Sequence, residues 1–351
     1  MAAATATGIY HRTYRADQAL RHARIAYVRL VLGAVVLIAA PFVIDPFWLT
    51  VVNQIGIAVV GAIGLNILVG YTGQISLGQG GFLAVGAYTS GLLVARLGWP
   101  FPMAMMAAVL VTAIVGAFFG LPALRLKGLY LAIATLAAQQ IIIWLVTHWD
   151  AVTGGVDSLV VPAPALFGLD LSGDFRFYWV ILFFAALAAM AATNLFRTGV
   201  GRAFIAIRDQ DIAAEVIGVD PVRYKVLAFA VSSGFVGLAG ALTAHYHLIV
   251  TWERFTISTS ILYLAMIIVG GLGSVSGSVY GAAFMIALPA YIQELSRQLS
   301  GALSFVAREL PAIQQMVFGL TIILFLIFEP RGLARIWQRT KDYFRLWPFR
   351  Y

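Results

Sequence analysis

The chain has 351 residues, of which 61% are hydrophobic and only 11% are charged, and its mean hydropathy is +0.91. A soluble domain needs roughly a quarter of its residues charged to cover its surface, so this composition excludes an ordinary water-soluble globule. The lack of cysteine excludes disulfides, thiolate metal sites and cysteine nucleophiles. The net charge of +8 does not predict nucleic-acid binding, because no basic face interleaved with aromatic residues accompanies it.

In chain order, the sequence predicts a cytoplasmic N-terminal segment over 1–26, a transmembrane domain over 27–330 and a basic cytoplasmic tail over 331–351. A span takes about 20 mostly apolar residues. The fold class is therefore all-α, with about ten transmembrane helices, although the glycine-rich stretch 70–96 leaves the exact count open. The predicted spans are 27–44, 50–70, 75–96, 100–121, 128–147, 178–196, 224–250, 257–275, 277–295 and 305–328.

Loop charge predicts the orientation of these spans. The loops 122–127 and 197–225 are basic, whereas the loop 148–177 is rich in aspartate. Because basic loops stay in the cytoplasm, we expect both termini there and a multi-pass protein of a bacterial or archaeal inner membrane. Arg96 and Arg254 fall near outer ends and disagree with this scheme. The charged first thirty residues are unlike a cleaved signal peptide, so the first span is expected to be retained.

A glycine pattern near residue 70 recurs near residue 270. Val69-Gly70, Gly73, Ile75-Ser76 and Gly81 return at a constant offset as Val269-Gly270, Gly273, Val275-Ser276 and Gly281. Chance agreement in a glycine-rich chain is one explanation, and internal duplication is the other. If the duplication is real, the predicted topology makes the repeat parallel, and an error of one span would make it inverted. Paired glycine-interrupted helices often mark a transport pathway.

The segment 201–221 combines charges of both signs with apolar residues at roughly helical spacing, and it ends at Pro221. It is either a solvated loop or a short amphipathic helix that docks into a groove of a partner protein. The apolar positions are Phe204, Ile207, Ile212, Val216 and Val219.

Five motifs together resemble the branched-chain amino acid permease family of ABC importers, in its LivM-type branch. They are Gly70-Tyr71-Thr72-Gly73-Gln74-Ile75-Ser76-Leu77-Gly78-Gln79-Gly80-Gly81-Phe82, Thr153-Gly154-Gly155, Ala213-Ala214-x-x-x-Gly218, Gly270-Gly271-Leu272-Gly273-Ser274 and Phe328-Glu329-Pro330-Arg331-Gly332-Leu333. The resemblance covers about residues 45 to 335. One departure is Ile212, which stands where importer permeases often carry the Glu of Glu-Ala-Ala.

This resemblance implies a bundle like that of type II ABC importers. It also implies a second homologous permease, two cytoplasmic ATPases that bind ATP and Mg, and a periplasmic or lipid-anchored substrate-binding protein. The loop 197–224 would be the coupling loop to the ATPases, through Arg202, Arg208, Asp209, Asp211, Ala213, Ala214, Glu215 and Gly218. The family-motif glycines are Gly70, Gly73, Gly78, Gly270 and Gly273. Relatives of this type carry branched-chain amino acids, urea, short amides or other amino acids, and hetero- or homodimeric pairing stays open.

Polar side chains within spans are costly, so they either join helices by hydrogen bonds or line the translocation path. The path candidates are Asn53, Asn66, Gln74, Ser76, Gln79 and Gln139. Uncharged amides suit the passage of a zwitterion or a neutral polar solute. His245 and His247 are expected in an interfacial belt, and no metal site is predicted.

Two other function classes compete with the importer. An ion-coupled secondary transporter of a small polar solute would need an acidic residue in the middle of a span, and none occurs before residue 294. An intramembrane enzyme would need a nucleophile, paired acids or a metal cluster, and neither His-Glu-x-x-His nor Gly-x-Ser-x-Gly is present. The chain also has no Gly-x-x-x-x-Gly-Lys-Ser/Thr loop, so the sequence predicts no ATP site and no catalytic residues in this subunit.

Overall fold

A computed structural model describes residues 24–166, 168–299, 310–329 and 331–346, and almost all of them are helical. Eight helices are long and apolar enough to cross a membrane, and two shorter apolar stretches, Val31–Val43 and Ile257–Gly270, join them. Each of the ten predicted spans thus has a helix. The α-helices are α1 Arg24–Val43, α2 Pro46–Asn66, α3 Gln79–Leu97, α4 Phe101–Gly120, α5 Leu129–His148, α6 Asp150–Thr153, α7 Asp174–Leu195, α8 Gly199–Asp209, α9 Asp211–Val216, α10 Pro221–His247, α11 Ile257–Gly270, α12 Val275–Leu299, α13 Leu310–Phe328 and α14 Gly332–Leu346.

The centre of the bundle is formed by α2 and α10, which are the most buried spans, whereas α13 has no buried residue. Glycine makes the close crossings possible. A Cβ on Gly64 would meet the Ser232 carbonyl oxygen at 2.9 Å, and one on Gly86 would run into the backbone of Gly237. Since lipid supplies no hydrophobic drive between helices, this close backbone packing is a main source of cohesion.

Two interruptions divide the central helices. The first follows α2, which continues as the π-helix Ile67–Tyr71 and then as irregular chain up to Gly78. The second precedes α11, where the 3₁₀-helix Trp252–Phe255 leads into a helix too short to cross the membrane alone. The predicted span 75–96 therefore begins at Gln79, because the residues before it are not helical.

The bundle has two distinct ends. The glycine-loop end contains Gly70–Gly73 and Gly270–Gly273, where α2 and α11 terminate. The strand end contains the short strands, with β1 Leu159–Val160 antiparallel to β4 Ile249–Val250, and with β2 Ala165–Leu166 antiparallel to β3 Leu169–Asp170. Leu159 pairs with Val250, which ties the chain after α10 to the loop before α7.

Candidate functional site

The predicted docking segment folds as two short helices, α8 and α9, rather than one. Thr198 caps α8, because its hydroxyl accepts a hydrogen bond from the Gly201 N–H at 3.4 Å. Gln210 then adopts an extended backbone (φ −162°, ψ 105°), which breaks the helix. Gly218, at φ +90°, closes the second helix in a conformation that favours glycine. The segment is therefore two short helices joined at Gln210, whereas the sequence left a solvated loop and one short amphipathic helix as the alternatives.

The break gives the two helices different faces. Phe204 and Ile207 of α8 are buried against the bundle, as their apolar spacing predicts. The apolar residues that follow are exposed, with exposed fractions of 67% for Ile212, 83% for Val216 and 75% for Ile217. Three large aliphatic side chains in so short a stretch form an exposed apolar patch of the kind that marks interaction sites.

Arg208 connects α8 to both glycine motifs. Its Nη1 donates to the Gly70 carbonyl oxygen at 3.1 Å, and its Nη2 forms an ion pair with Asp209 at 3.0 Å. A Cβ on Gly73 would lie 3.1 Å from Arg208 Cγ, and one on Gly273 would lie 3.2 Å from Nη1. The guanidinium therefore fits against both loops only because glycine occupies these positions.

Asn66 joins the two glycine motifs directly. Its Oδ1 accepts a hydrogen bond from the Gly273 N–H at 2.9 Å, and its Nδ2 donates to the Ser274 carbonyl at 2.9 Å and to Ser278 Oγ at 2.8 Å. The structure thus places Asn66, Gly70, Gly73 and Gly273 together with Arg208, while Gly270 packs behind them on the backbone of α12.

Asp211 anchors the start of α9 through two lysines. Its carboxylate lies 2.6 Å from Lys127 Nζ and 3.4 Å from Lys225 Nζ. The hydrogen bond from Lys127, followed by the charges of both lysines, lowers the pKa of Asp211, so the carboxylate is ionised at neutral pH. The sequence showed both lysines as part of basic loops but gave no signal that they meet this aspartate.

A polar cavity of about 260 Å³ separates α8 and α9 from the chain that follows α2. The segment 72–78 contributes Gly73 and Gln74 to the lining of the cavity, and the basic loop 122–127 contributes Lys127. Gln74 itself is buried, with Nε2 donating to Thr72 Oγ1 and Oε1 lacking a partner among the described residues.

The remaining coupling candidates lie on the outer surface of the segment. Arg202, Ala213 and Glu215 are exposed, while Ala214 is buried behind α9. Arg202 donates only to the backbone oxygen of Arg197, at 3.4 Å.

The irregular chain over 72–78 runs into the bundle. Gln79, the first residue of α3, donates from Nε2 to the Gly61 carbonyl at 3.0 Å. Gly61 lies about 15 Å from the π-helical end of α2 at the helical rise. The segment alternates between buried and more exposed residues, with Ser76 buried and Ile75 38% exposed. One edge of this segment is therefore accessible deep inside the membrane-spanning part.

Gln139 and Ser260 complete a polar cluster at the same depth. Ser260 Oγ donates to Gln139 Oε1 at 2.7 Å and accepts from the Gly80 N–H at 2.8 Å, and Gln139 Nε2 donates to the Phe255 carbonyl. Gly78 packs on the Thr135 carbonyl, where a Cβ would lie 2.7 Å away. Ser260 is a member of this cluster that sequence reasoning missed, since a lone serine in an apolar run carries no pattern.

Two predicted residues lie elsewhere, toward the strand end. Asn53 is buried between α2 and α7, where its Nδ2 donates to the Asp174 carbonyl at 3.0 Å. His245, expected in an interfacial belt, is instead 1% exposed and hydrogen-bonded to Ser90 at 2.7 Å. The belt prediction for His245 fails because glycines let α3 and α10 approach closely: a Cβ on Gly86 would run into the backbone of Gly237, and one on Gly240 would run into the Leu83 carbonyl oxygen.

Comparison with known proteins gives this arrangement a family. Residues 47–326 match the model described as branched-chain amino acid transport system / permease component. The high-affinity branched-chain amino acid transport system permease protein LivM of Salmonella typhimurium is 32% identical over 85% of this chain and 72% of its own length. The Escherichia coli protein of the same name is 32% identical over 87% and 74%. The probable LivM of Methanocaldococcus jannaschii is 26% identical over 66% and 67%. No solved structure matches the chain.

Proposed function

We propose a function in ATP-driven import, because the chain belongs to the family of branched-chain amino acid transport permeases. In this proposal the chain forms the translocation path together with a second, homologous permease in a bacterial or archaeal inner membrane. Two cytoplasmic ATPases bind ATP and Mg, and a periplasmic or lipid-anchored binding protein delivers the solute. The chain itself carries out no chemical step.

The observation that carries the proposal is the exposed patch of Ile212, Val216 and Ile217 on the α9 side of the segment. Such a patch costs free energy in water unless a partner covers it, at roughly 25 cal/mol per Å² of apolar surface. A short helix that presents aliphatic side chains fits a groove on a partner protein. The ATPase is the proposed partner, and Ile212 then contributes an apolar contact in place of the usual glutamate.

The contacts behind the patch suggest how movement passes into the membrane. Arg208 holds α8 to the Gly70 carbonyl at the end of α2, and Asp211 holds α9 to the basic loop before α5. A displacement of α8 and α9 on ATP binding would therefore pull on the irregular segment 72–78. Because that segment enters the bundle, its movement would open or close the path between the two permeases.

The proposed substrate is a branched-chain amino acid or a related small polar solute, such as urea, a short amide or another amino acid. The described path candidates are uncharged amides and hydroxyls, which let a zwitterion pass without holding it tightly. Selectivity then belongs to the external binding protein. In the proposed orientation the basic glycine-loop end and both termini face the cytoplasm.

The test is co-purification of the full-length chain in mild detergent, followed by mass spectrometry of the bound proteins. We expect an ATPase and a second permease with the native chain, and loss of at least about nine-tenths of the ATPase with Val216→Glu, since a buried unpaired carboxylate costs several kcal/mol. Val156→Glu is the matched control, because Val156 is 69% exposed at the strand end. A captured binding protein would then be screened for its ligand.

Equal ATPase recovery with Val216→Glu and with the native chain would refute the docking role of α9. Recovery of the chain alone, together with uptake that survives ATP depletion, would refute the importer and favour an ion-coupled transporter. Arg208→Ala separates docking from coupling, because it should leave the ATPase bound while uncoupling hydrolysis from uptake.

A further inference from the structure

A second polar pocket lies beside the glycine loop Gly270–Gly273. It has a volume of about 340 Å³ and is enclosed by the α11–α12 loop and by α14. The loop contributes Gly271, Gly273 and Ser274, and the helix side contributes Arg331, Arg335 and Gln338. None of the contacts proposed above for coupling or transport uses this pocket.

The charge of the pocket has one sign. Its lining contains two guanidinium groups and no carboxylate. Within the described part of the chain, Arg331 and Arg335 form no ion pair, and Arg335 Nε is buried without a hydrogen-bond partner. Arg339, one turn further along α14, is by contrast paired with Glu329 at 2.8 Å. The pocket thus holds two guanidinium groups whose charge no carboxylate balances, and an anion there would receive charge-assisted hydrogen bonds.

The distribution of apolar and basic side chains around α14 indicates the source of such an anion. Ala334 packs into the bundle, while Ile336 and Trp337 on the apolar side are 41% and 56% exposed. Polar and basic residues, among them Arg335 and Lys341, occupy the other side of the helix. A helix with this division, rich in basic residues and carrying tryptophan, lies in the membrane interface with its apolar face among acyl chains. Its basic face then lies at the level of the phosphates.

We propose that the pocket between Gly271–Ser274 and α14 binds a phosphate group through Arg331 and Arg335, and that an anionic phospholipid supplies it. Two guanidinium groups provide fork-like donors that match the oxygens of a phosphate diester. The acyl chains of that lipid would lie beside Ile336 and Trp337. The bound headgroup would fix α14 against the α11–α12 loop.

The test uses the purified full-length chain in detergent, titrated with short-chain phosphatidylglycerol and followed by native mass spectrometry. A parallel titration uses inorganic phosphate, and a third uses short-chain phosphatidylcholine. We expect phosphatidylglycerol to bind, and Arg335→Gln to weaken this binding about tenfold through loss of a charge-assisted hydrogen bond. Lys341→Gln removes the same charge from an exposed position of the same helix and should change the affinity less than about twofold. Arg331→Gln repeats the test at the pocket mouth if Arg335→Gln lowers the melting temperature.

If inorganic phosphate displaces phosphatidylglycerol and its own binding depends on Arg335, the pocket binds phosphate but its ligand is the free ion, and the lipid assignment is overturned. Equal weakening by Arg335→Gln and Lys341→Gln would overturn the proposal in favour of general surface charge. Arg335→Gln that leaves lipid binding intact but lowers ATPase recovery would also overturn it, because the pocket would then hold an acidic group of a partner protein.

Discussion

The two glycine segments, Gly70–Gly81 and Gly270–Gly281, share a sequence pattern but fold differently. Both follow a helix that ends at the glycine-loop end, and Gly73 and Gly273 have nearly equal φ angles of +69° and +71°. After that turn the first segment continues without regular secondary structure up to Gly78, whereas the second enters α12 within two residues. A shared pattern therefore fixed the turn but not the structure that follows it.

The residues after the turn explain the divergence. Ser274 accepts a hydrogen bond from the Gly277 N–H at 3.1 Å, so it caps α12 at once. The equivalent position in the first segment is Gln74, which has no hydroxyl to cap with and turns inward instead. Asn66 reaches across to the second segment, while its counterpart Met266 is a fully buried apolar side chain. Arg208 of α8 lies against both segments, but it donates its hydrogen bond to the Gly70 carbonyl of the first.

The largest expected effect on stability comes from a larger side chain placed where the two segments touch. In Gly70→Val, the added Cβ would run into Asn66 Oδ1 and the Gly273 N–H. We expect the free energy of unfolding to fall by about 3 kcal/mol, measured as a loss of melting temperature in detergent. Gly319→Val is the control, because nothing lies within 4 Å of a Cβ at that position. Similar melting temperatures for the two variants would show that the segments do not meet this closely.

Asn66→Leu tests the hydrogen bonds between the segments. It removes the acceptor of the Gly273 N–H and the three contacts that Nδ2 makes with the Gly271 and Ser274 carbonyls and Ser278 Oγ, leaving buried polar groups unpaired. We expect a loss of about 2 kcal/mol, against less than about 1.5 kcal/mol for Met266→Leu at the equivalent position. Thermal unfolding monitored by circular dichroism checks the order, and a larger loss for Met266→Leu would contradict it.

Ser274→Ala tests the cap that distinguishes the second segment. Loss of this helix cap should cost about 1 kcal/mol. Ser76→Ala, in the first segment, should cost less, since Ser76 Oγ accepts only from the Gly78 N–H at 3.3 Å and starts no helix. Denaturant unfolding of both variants measures the difference, and equal losses would indicate that capping does not separate the two structures.

The smallest expected effect is a pH dependence of stability that comes from Asp211, beside the first glycine segment. The pKa of Asp211 is lower in the folded protein than in the unfolded chain, where it is about 4. The ionised carboxylate therefore contributes fully to the free energy of unfolding above about pH 4, and this contribution is lost as the pH falls through the folded pKa. At pH 7, Asp211→Asn should lose about 0.5 kcal/mol, because the pair is partly exposed. The loss should stay near this size down to about pH 4 and shrink as the pH falls further.

Asp209→Asn is the reference for this measurement. Asp209 also forms an ion pair, with Arg208, but its side chain is more exposed than that of Asp211. A loss in Asp211→Asn that stays the same from about pH 4 down to about pH 2 would show that the lysines do not act on the aspartate through its charge.

Particular elements show how far the sequence could lead. The ten apolar stretches were predicted because a span is a local property of about 20 residues, and each has a helix. The break at Gln210 was not predictable, because it depends on Phe204 being buried on one side and on Asp211 meeting Lys127 on the other. The same holds for Ser260 and Gln139, which lie far apart in the chain and meet only after α5 and α11 pack.

Composition and short motifs were enough to predict the membrane environment, the apolar helices, the recurring glycine pattern and the family, because these are local properties of the chain. Only the tertiary structure decided that chain over 72–78 enters the bundle, that Arg208 and Asn66 hold two distant glycine loops together, and that two arginines share a pocket without an acid. Each of these depends on which helices cross closely, and that is set by packing between residues remote in the chain.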